Sequence, residues 1–191
     1  MNKREKTMPG GGRVFPASRA GWLASSLRKL WQNPDAILDG LVHTGDTVVD
    51  IGCGPGFFTL PLARMTGQEG CVIAVDLQEE MLRMMHQRAE RAGLAKHIRR
   101  HQCLAGTIGL AIQADFILAF HIAHETPDVA AFLREIHGML RPGARLLLSE
   151  PRFHVTKEAF QRTLALAVEA GMRIASIPRI RLSRSAVLVR D

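Results

Sequence analysis

A doubly wound α/β fold is what three features of this 191-residue chain predict: a mostly parallel seven-stranded sheet, helices on both faces and an antiparallel C-terminal hairpin. Apolar runs of strand length alternate with helical patterns from residue 48 to 171, and right-handed crossovers turn that rhythm into a parallel sheet. The first run, Val48-Val49-Asp50-Ile51, breaks into Gly52-Cys53-Gly54-Pro55-Gly56, a strand stopped by a glycine turn that opens a helix. The last two runs, 172–180 and 186–189, are joined by a short link and so pair antiparallel.

Taken in order, residues 1–12 are charged and then glycine-rich, the composition of a disordered tail. Residues 18–31 carry a helical pattern through Leu23, Leu27, Leu30 and Trp31. Asn33-Pro34 restarts the chain as an N-cap and first helical position, for a short helix through Ile37, Leu38 and Leu41. The run 71–76 is a second strand ending in Asp76. Residues 78–92 form a helix with Glu79 and Glu80 at its positive end, Arg91 at its negative end and Gly93 as its stop. Met81, Met85 and Ala89 recur at four-residue spacing, which reads as core filling.

A weaker third strand, 98–103, is mostly polar; 115–120 is a strong fourth. Pro127-Asp128 begins a helix through Val129, Leu133, Ile136 and Leu140, and Arg141-Pro142-Gly143 turns it into a fifth strand, 145–150. The helix 156–170 packs through Phe160, Leu164 and Val168 and closes at Gly171. Pro178 marks the sixth strand as bent or at an edge. The chain divides into a basic N-terminal extension, 1–32, whose helix could be a lid or could simply cover the sheet, and one domain, 33–191.

Bulk properties exclude several classes. No apolar run approaches the ~18 residues of a membrane helix, and residues 1–12 lack the apolar core of a signal peptide. Three cysteines without Cys-x-x-Cys spacing point to a reduced, cytoplasmic setting. The net charge of +7 is unevenly spread: +6 in residues 1–32, +4 in 172–191 and −3 between them. The basic ends leave a nucleic-acid partner open, though not favoured, since aromatic residues for stacking are only 5%.

Ligands of such sheets sit beyond the carboxyl ends of the strands. There the chain places Asp50 with the glycine turn, Asp76, Cys103, Phe120-His121 and Glu150. A dinucleotide site wants Gly-x-Gly-x-x-Gly, but the third glycine position, counted from Gly52, is Phe57. The spacing found, Asp-x-Gly-x-Gly-x-Gly, suits a ligand without a pyrophosphate. Asp76, twenty residues past Gly56, could accept ribose hydroxyls and fits an adenosyl ligand of either kind.

Residues 48–63, Val-Val-Asp-Ile-Gly-Cys-Gly-Pro-Gly-Phe-Phe-Thr-Leu-Pro-Leu-Ala, resemble the first motif of class I S-adenosylmethionine-dependent methyltransferases. Val-Ile-Ala-Val-Asp-Leu-Gln-Glu-Glu-Met-Leu resembles their second, and Leu-Arg-Pro-Gly-Ala-Arg-Leu-Leu-Leu-Ser-Glu-Pro the segment entering their fifth strand. The likeness covers about residues 33–191 and is strongest to the small-molecule branch that includes ubiquinone/menaquinone-biosynthesis methyltransferases. It implies that Asp50, Gly52, Cys53 and Gly54 line the methionine moiety of S-adenosylmethionine, with Gly56 also among the cofactor-binding residues, that Asp76 holds the ribose and that Leu77 packs on the adenine. Relatives place an Asp after the third strand for the adenine amino group; this chain has Cys103-Leu104 there. Phe120 and His121 would lie near the sulfonium.

The acceptor is expected to be a small molecule, with S-adenosylhomocysteine as co-product. His121, His124, Glu150 and His154 are the candidate catalytic groups, with Glu125 beside them, because histidine titrates near neutrality and suits a base. His-x-x-His-Glu with His154 could instead bind a metal, but its order matches neither common zinc motif, so none is expected. An RNA or protein substrate using the basic ends, and a binding protein without turnover, are the alternatives.

Overall fold

The computed structural model describes residues 32–191. The tail 1–12, the helix 18–31 and its lid role fall outside the described residues. Asn33 caps α1 (Pro34–Leu38), its side chain accepting the Asp35 N–H at 3.1 Å, with Pro34 opening the helix as expected, but the helix ends at Leu38 and leaves Leu41 in the following turn.

The sheet has seven strands in the order β3-β2-β1-β4-β5-β7-β6: β1 Thr47–Ile51, β2 Cys71–Asp76, β3 Ile98–Gln102, β4 Ala114–Phe120, β5 Leu140–Pro151, β6 Met172–Ser176 and β7 Ser183–Arg190. The first five pair in parallel, and β7 lies antiparallel between β5 and β6. The central strands have no polar face because both faces are covered. Val49, Ile73, Ile117 and Leu146 pack with α4 (Val129–Met139) and α5 (Lys157–Glu169) on one side. Val48, Val72, Phe116 and Leu147 pack with α1, α2 (Thr59–Thr66) and α3 (Glu79–Arg91) on the other. Met81, Met85 and Ala89 are buried, as their spacing indicated. The chain runs outward from β1 through β2 to β3, then back across to β4, so the crevice between β1 and β4 is the switch point.

Four sequence expectations are corrected. Leu140 belongs to β5, since α4 ends at Met139. Arg141-Pro142-Gly143 is a bulge inside that strand, because pairing jumps from Ala114–Leu140 to Phe116–Arg145; Arg141 pairs with Asp115 there. On α5 the packed positions are Phe160, Leu164 and Ala167; Val168 lies one residue, about 100° of helix rotation, beyond that face and is 51% exposed. Finally, β6 stops at Ser176, short of Pro178, while β7 starts at Ser183.

Candidate active site

A cavity of about 910 Å³ opens at the carboxyl ends of β1, β2 and β4, near the top of the ~300–1,000 Å³ range of small-ligand sites. Its floor is the glycine turn. Val75 O accepts from Gly52 N and Cys53 N at 2.9 and 3.0 Å, and Gly56 N donates to Cys53 O at 3.0 Å. Arg88 of α3 donates to Pro55 O at 2.5 Å.

The three glycines do different work. A Cβ on Gly54 (φ +52°) would meet nothing within 4 Å, and the residue lines the cavity. A Cβ on Gly56 (φ +84°) would collide with Met85 Cγ at 2.7 Å and Leu60 Cδ1 at 2.8 Å. Gly52 lies against Ile122. Gly54 therefore leaves room for a ligand, whereas Gly56 is buried under helix side chains and does not line the cavity.

Asp50, Cys53, Asp76 and Leu77 line one wall, and Cys103 and Leu104 continue it. Asp50 is buried and accepts from Thr59 Oγ1 at 2.6 Å. Asp76 accepts Gly54 N on one oxygen and Gln78 N on the other, each at 2.9 Å. Burial raises its pKa, against those two amides and that of Leu77. The Cys53 thiol is pushed well up by burial and then by Asp50 and Asp76; Cys103 is pushed up to about 11 by burial and then by Asp76. Both stay protonated and behave as apolar wall.

The opposite wall is built by the ends of β4, β5 and β7. Phe120, His121, His124 and His154 line it; Glu150 does not, because it lies behind His124 with 1% of its surface exposed. Glu150 accepts Ala123 N at 3.0 Å, His124 N at 3.2 Å and His124 Nδ1 at 2.6 Å. Those bonds fix the 3₁₀ turn Ala123–Glu125. Burial pulls the His124 pKa down, but the hydrogen bond and charge of Glu150, with the charge of Glu125, leave it raised overall. The His154 ring meets His124 edge-on, centroids 5.8 Å apart.

His121 adopts φ +62°, in the left-handed region, where a non-glycine residue costs roughly 1–3 kcal/mol. Its Nε2 lies 2.8 Å from Ser183 Oγ, which also receives Gln32 Nε2 at 3.3 Å. Among the described residues no group of three or more His, Cys, Asp or Glu is placed to hold a metal ion.

Sequence reading passed over Thr59, Ile122 and Arg88. Thr59 was within reach, since it lies inside the first motif, three residues beyond Gly56. Arg88 sits three residues past Met85 on the same helix face. Ile122 had no local signal.

An open sheet with a nucleoside-sized cavity at its switch point, a glycine floor and a carboxylate at the end of β2 defines a class of adenosyl-ligand proteins. The comparisons narrow it. The profile of the methyltransferase domain family matches residues 42–176, and the chain belongs to that family. The ubiquinone/menaquinone biosynthesis C-methyltransferase UbiE of Azotobacter vinelandii is 33% identical over 130 residues, 67% of this chain and 51% of that protein. UbiE of Klebsiella pneumoniae (strain 342) is 27% identical over 129 residues, with the same coverage. The chain thus spans about half the length of the curated relatives it matches. A SAM-dependent methyltransferase from Aquifex aeolicus superposes with a TM-score of 0.82 at 26% identity, over 92% of this chain and 98% of that one. The fold is that of the class I S-adenosylmethionine-dependent methyltransferases, and S-adenosylmethionine is the cofactor of the family.

The cavity fits that cofactor. Asp76 lines the cavity with its carboxylate fixed by backbone amides, the space over Gly54 is open, and Asp50, Asp76 and Glu125 give the cavity carboxylates that suit a cation.

Proposed function

We propose that this chain transfers the methyl group of S-adenosylmethionine to a small-molecule acceptor bound in the same cavity. When bound, the cofactor supplies a methyl group already activated on a sulfonium. The open space over Gly54 beside the Asp76 carboxylate is the observation that carries the reading. Asp76 would accept the ribose hydroxyls; Asp50, Gly52, Cys53 and Gly54 would border the methionine moiety, and Leu77, Cys103 and Leu104 the adenine. The acceptor would occupy the end walled by Phe120, His121, His124 and His154. Holding two reactants in line is worth about 7–11 kcal/mol, so positioning by this wall dominates.

The domain is taken as 33–191, and Gln32, the residue just ahead of it, lines the cavity. The relatives' name supports a carbon acceptor. No helix among the described residues is long and apolar enough to cross a membrane. Cys53, Cys71 and Cys103 are free thiols, which supports a reducing, cytoplasmic setting. Incubation with methyl-labelled S-adenosylmethionine and a panel of phenols, dihydroxybenzenes, carboxylic acids and amines tests the reading. Label transfer to one class is expected; cofactor binding without transfer to any would leave a binding protein instead.

A further inference from the structure

Around the cavity, most carboxylates have a partner in the protein. Asp50 takes the Thr59 hydroxyl, Asp76 takes two amides, and Glu150 takes two amides and an imidazole. Glu125 differs. It is half-buried and lines the cavity, and its carboxylate makes no hydrogen bond among the described residues. Its backbone is nevertheless fixed: Glu125 N donates to Ile122 O at 2.9 Å, and Glu150 pins the two preceding residues of the same turn. A cavity-lining carboxylate carried on a fixed turn, with no hydrogen-bond donor among the described residues, is placed for a ligand.

We propose that Glu125 is the carboxylate that takes the acceptor's proton, and that Glu150 is a positioning residue acting through the turn that carries Glu125 and His124. This rests on the methyltransferase reading and narrows its substrate to an acceptor X–H that gives up a proton, X being carbon, oxygen or nitrogen. The X–H electron pair or lone pair forms the new X–CH3 bond. The C–S bond breaks with its pair left on sulfur, so the sulfonium becomes a neutral thioether. The proton passes to Glu125, which becomes a neutral carboxylic acid.

The titratable groups around Glu125 are His124 on its own turn, His121 at the end of β4 and Asp76 at the end of β2. Glu150 and His154 stand at the end of β5, and Asp128 at the head of α4. Burial, and then the charges of Asp76 and Glu150 against that of His124, push Glu125 to about 7, where a general base works best at neutral pH. A sulfonium in the same cavity favours the ionised form. Loading the cofactor therefore removes the proton that would block the base.

Calorimetric titration at pH 7 in two buffers of different ionisation enthalpy, with S-adenosylmethionine and with S-adenosylhomocysteine, counts that proton. The wild type is expected to release up to about half a proton with the sulfonium ligand and clearly less with the neutral thioether. Glu125→Gln should bind both within threefold of wild type and lose the difference. An unchanged proton count in Glu125→Gln overturns the proposal. So does a tenfold or larger loss of affinity for both ligands, which would make Glu125 a partner of the methionine ammonium they share. If the wild type binds neither ligand, the methyltransferase reading itself fails. On any acceptor that the labelled panel turns over, Glu125→Gln should lower kcat by ~10²–10⁴ with KM little changed and the acidic limb of the pH profile gone; Glu150→Gln should lower kcat but keep that limb.

Discussion

The two walls of the cavity are built on opposite plans. The wall at the ends of β1 and β2 is made of backbone: Gly54 leaves space, Val75 O gathers two amides, and Asp76 ties the turn to its own strand. The wall at the ends of β4, β5 and β7 is made of side chains, with His124 and Glu125 on a short turn fixed by one buried carboxylate, Glu150. A backbone wall suits a ligand that never changes, since it offers shape and amides whatever surrounds it. A side-chain wall can be refitted to another acceptor by a few substitutions. Fixed chemistry is therefore expected at the backbone wall and variable chemistry at the side-chain wall.

The sharpest way to break that contrast is to add atoms to the backbone wall. Gly54→Val should weaken S-adenosylhomocysteine binding more than a hundredfold. An added Cβ there would meet nothing within 4 Å, so the positive φ, roughly 1–2 kcal/mol, is the main cost to the fold. Gly56→Ala should do the reverse, losing thermal stability through Met85 and Leu60, with overpacking costing about 1–3 kcal/mol and affinity falling only as the fold loosens. Chemical denaturation and calorimetry on both variants separate the two effects. Equal losses of affinity at fixed stability would erase the distinction between the glycines.

On the side-chain wall, Glu150→Gln puts an amide N–H where the Ala123 and His124 amides donate. A buried donor left without a partner costs about 1–3 kcal/mol. The melting temperature should fall and methyl transfer drop, while S-adenosylhomocysteine affinity stays near wild type. Coupled loss of both would show that the two walls are one unit.

Smaller still is a pH effect. Glu125 has a folded pKa of about 7, above its usual carboxylate range. The folded state therefore holds a proton that the unfolded chain has already lost. Stability linked to this group is full below the unfolded pKa of ~4.3 and declines as pH rises through 7. Glu125→Gln should match the wild type in thermal melts near pH 4 and exceed it at pH 8. A gap that does not change with pH would place Glu125 in an ordinary solvated environment.

The same contrast explains what the sequence disclosed. The backbone wall was legible because glycine spacing and a strand-end carboxylate are local signals. Six of the seven strands followed from apolar runs and the antiparallel last pair from its short link, while the mostly polar third strand gave only a weak signal. Gly56 turns away from the cavity toward Met85 and Leu60, and spacing cannot tell a glycine that faces a ligand from one that faces a helix. Val168 and Ala167 were exchanged for a similar reason: adjacent apolar residues on a helix differ in facing by 100°, and only the tertiary contact chooses. On the side-chain wall the histidines could be named but not ranked. That Glu150 lies behind His124 while Glu125 lines the cavity depends on a turn held by contacts 26 and 27 residues apart.

The central claim is that the glycine floor and Asp76 hold S-adenosylmethionine. Calorimetric titration of S-adenosylhomocysteine into the wild type and into Gly54→Val, both shown folded by circular dichroism, tests it most directly. Micromolar binding to the wild type and none to the variant is the predicted result. No heat from the wild type at millimolar ligand, or equal binding by both proteins, would contradict it.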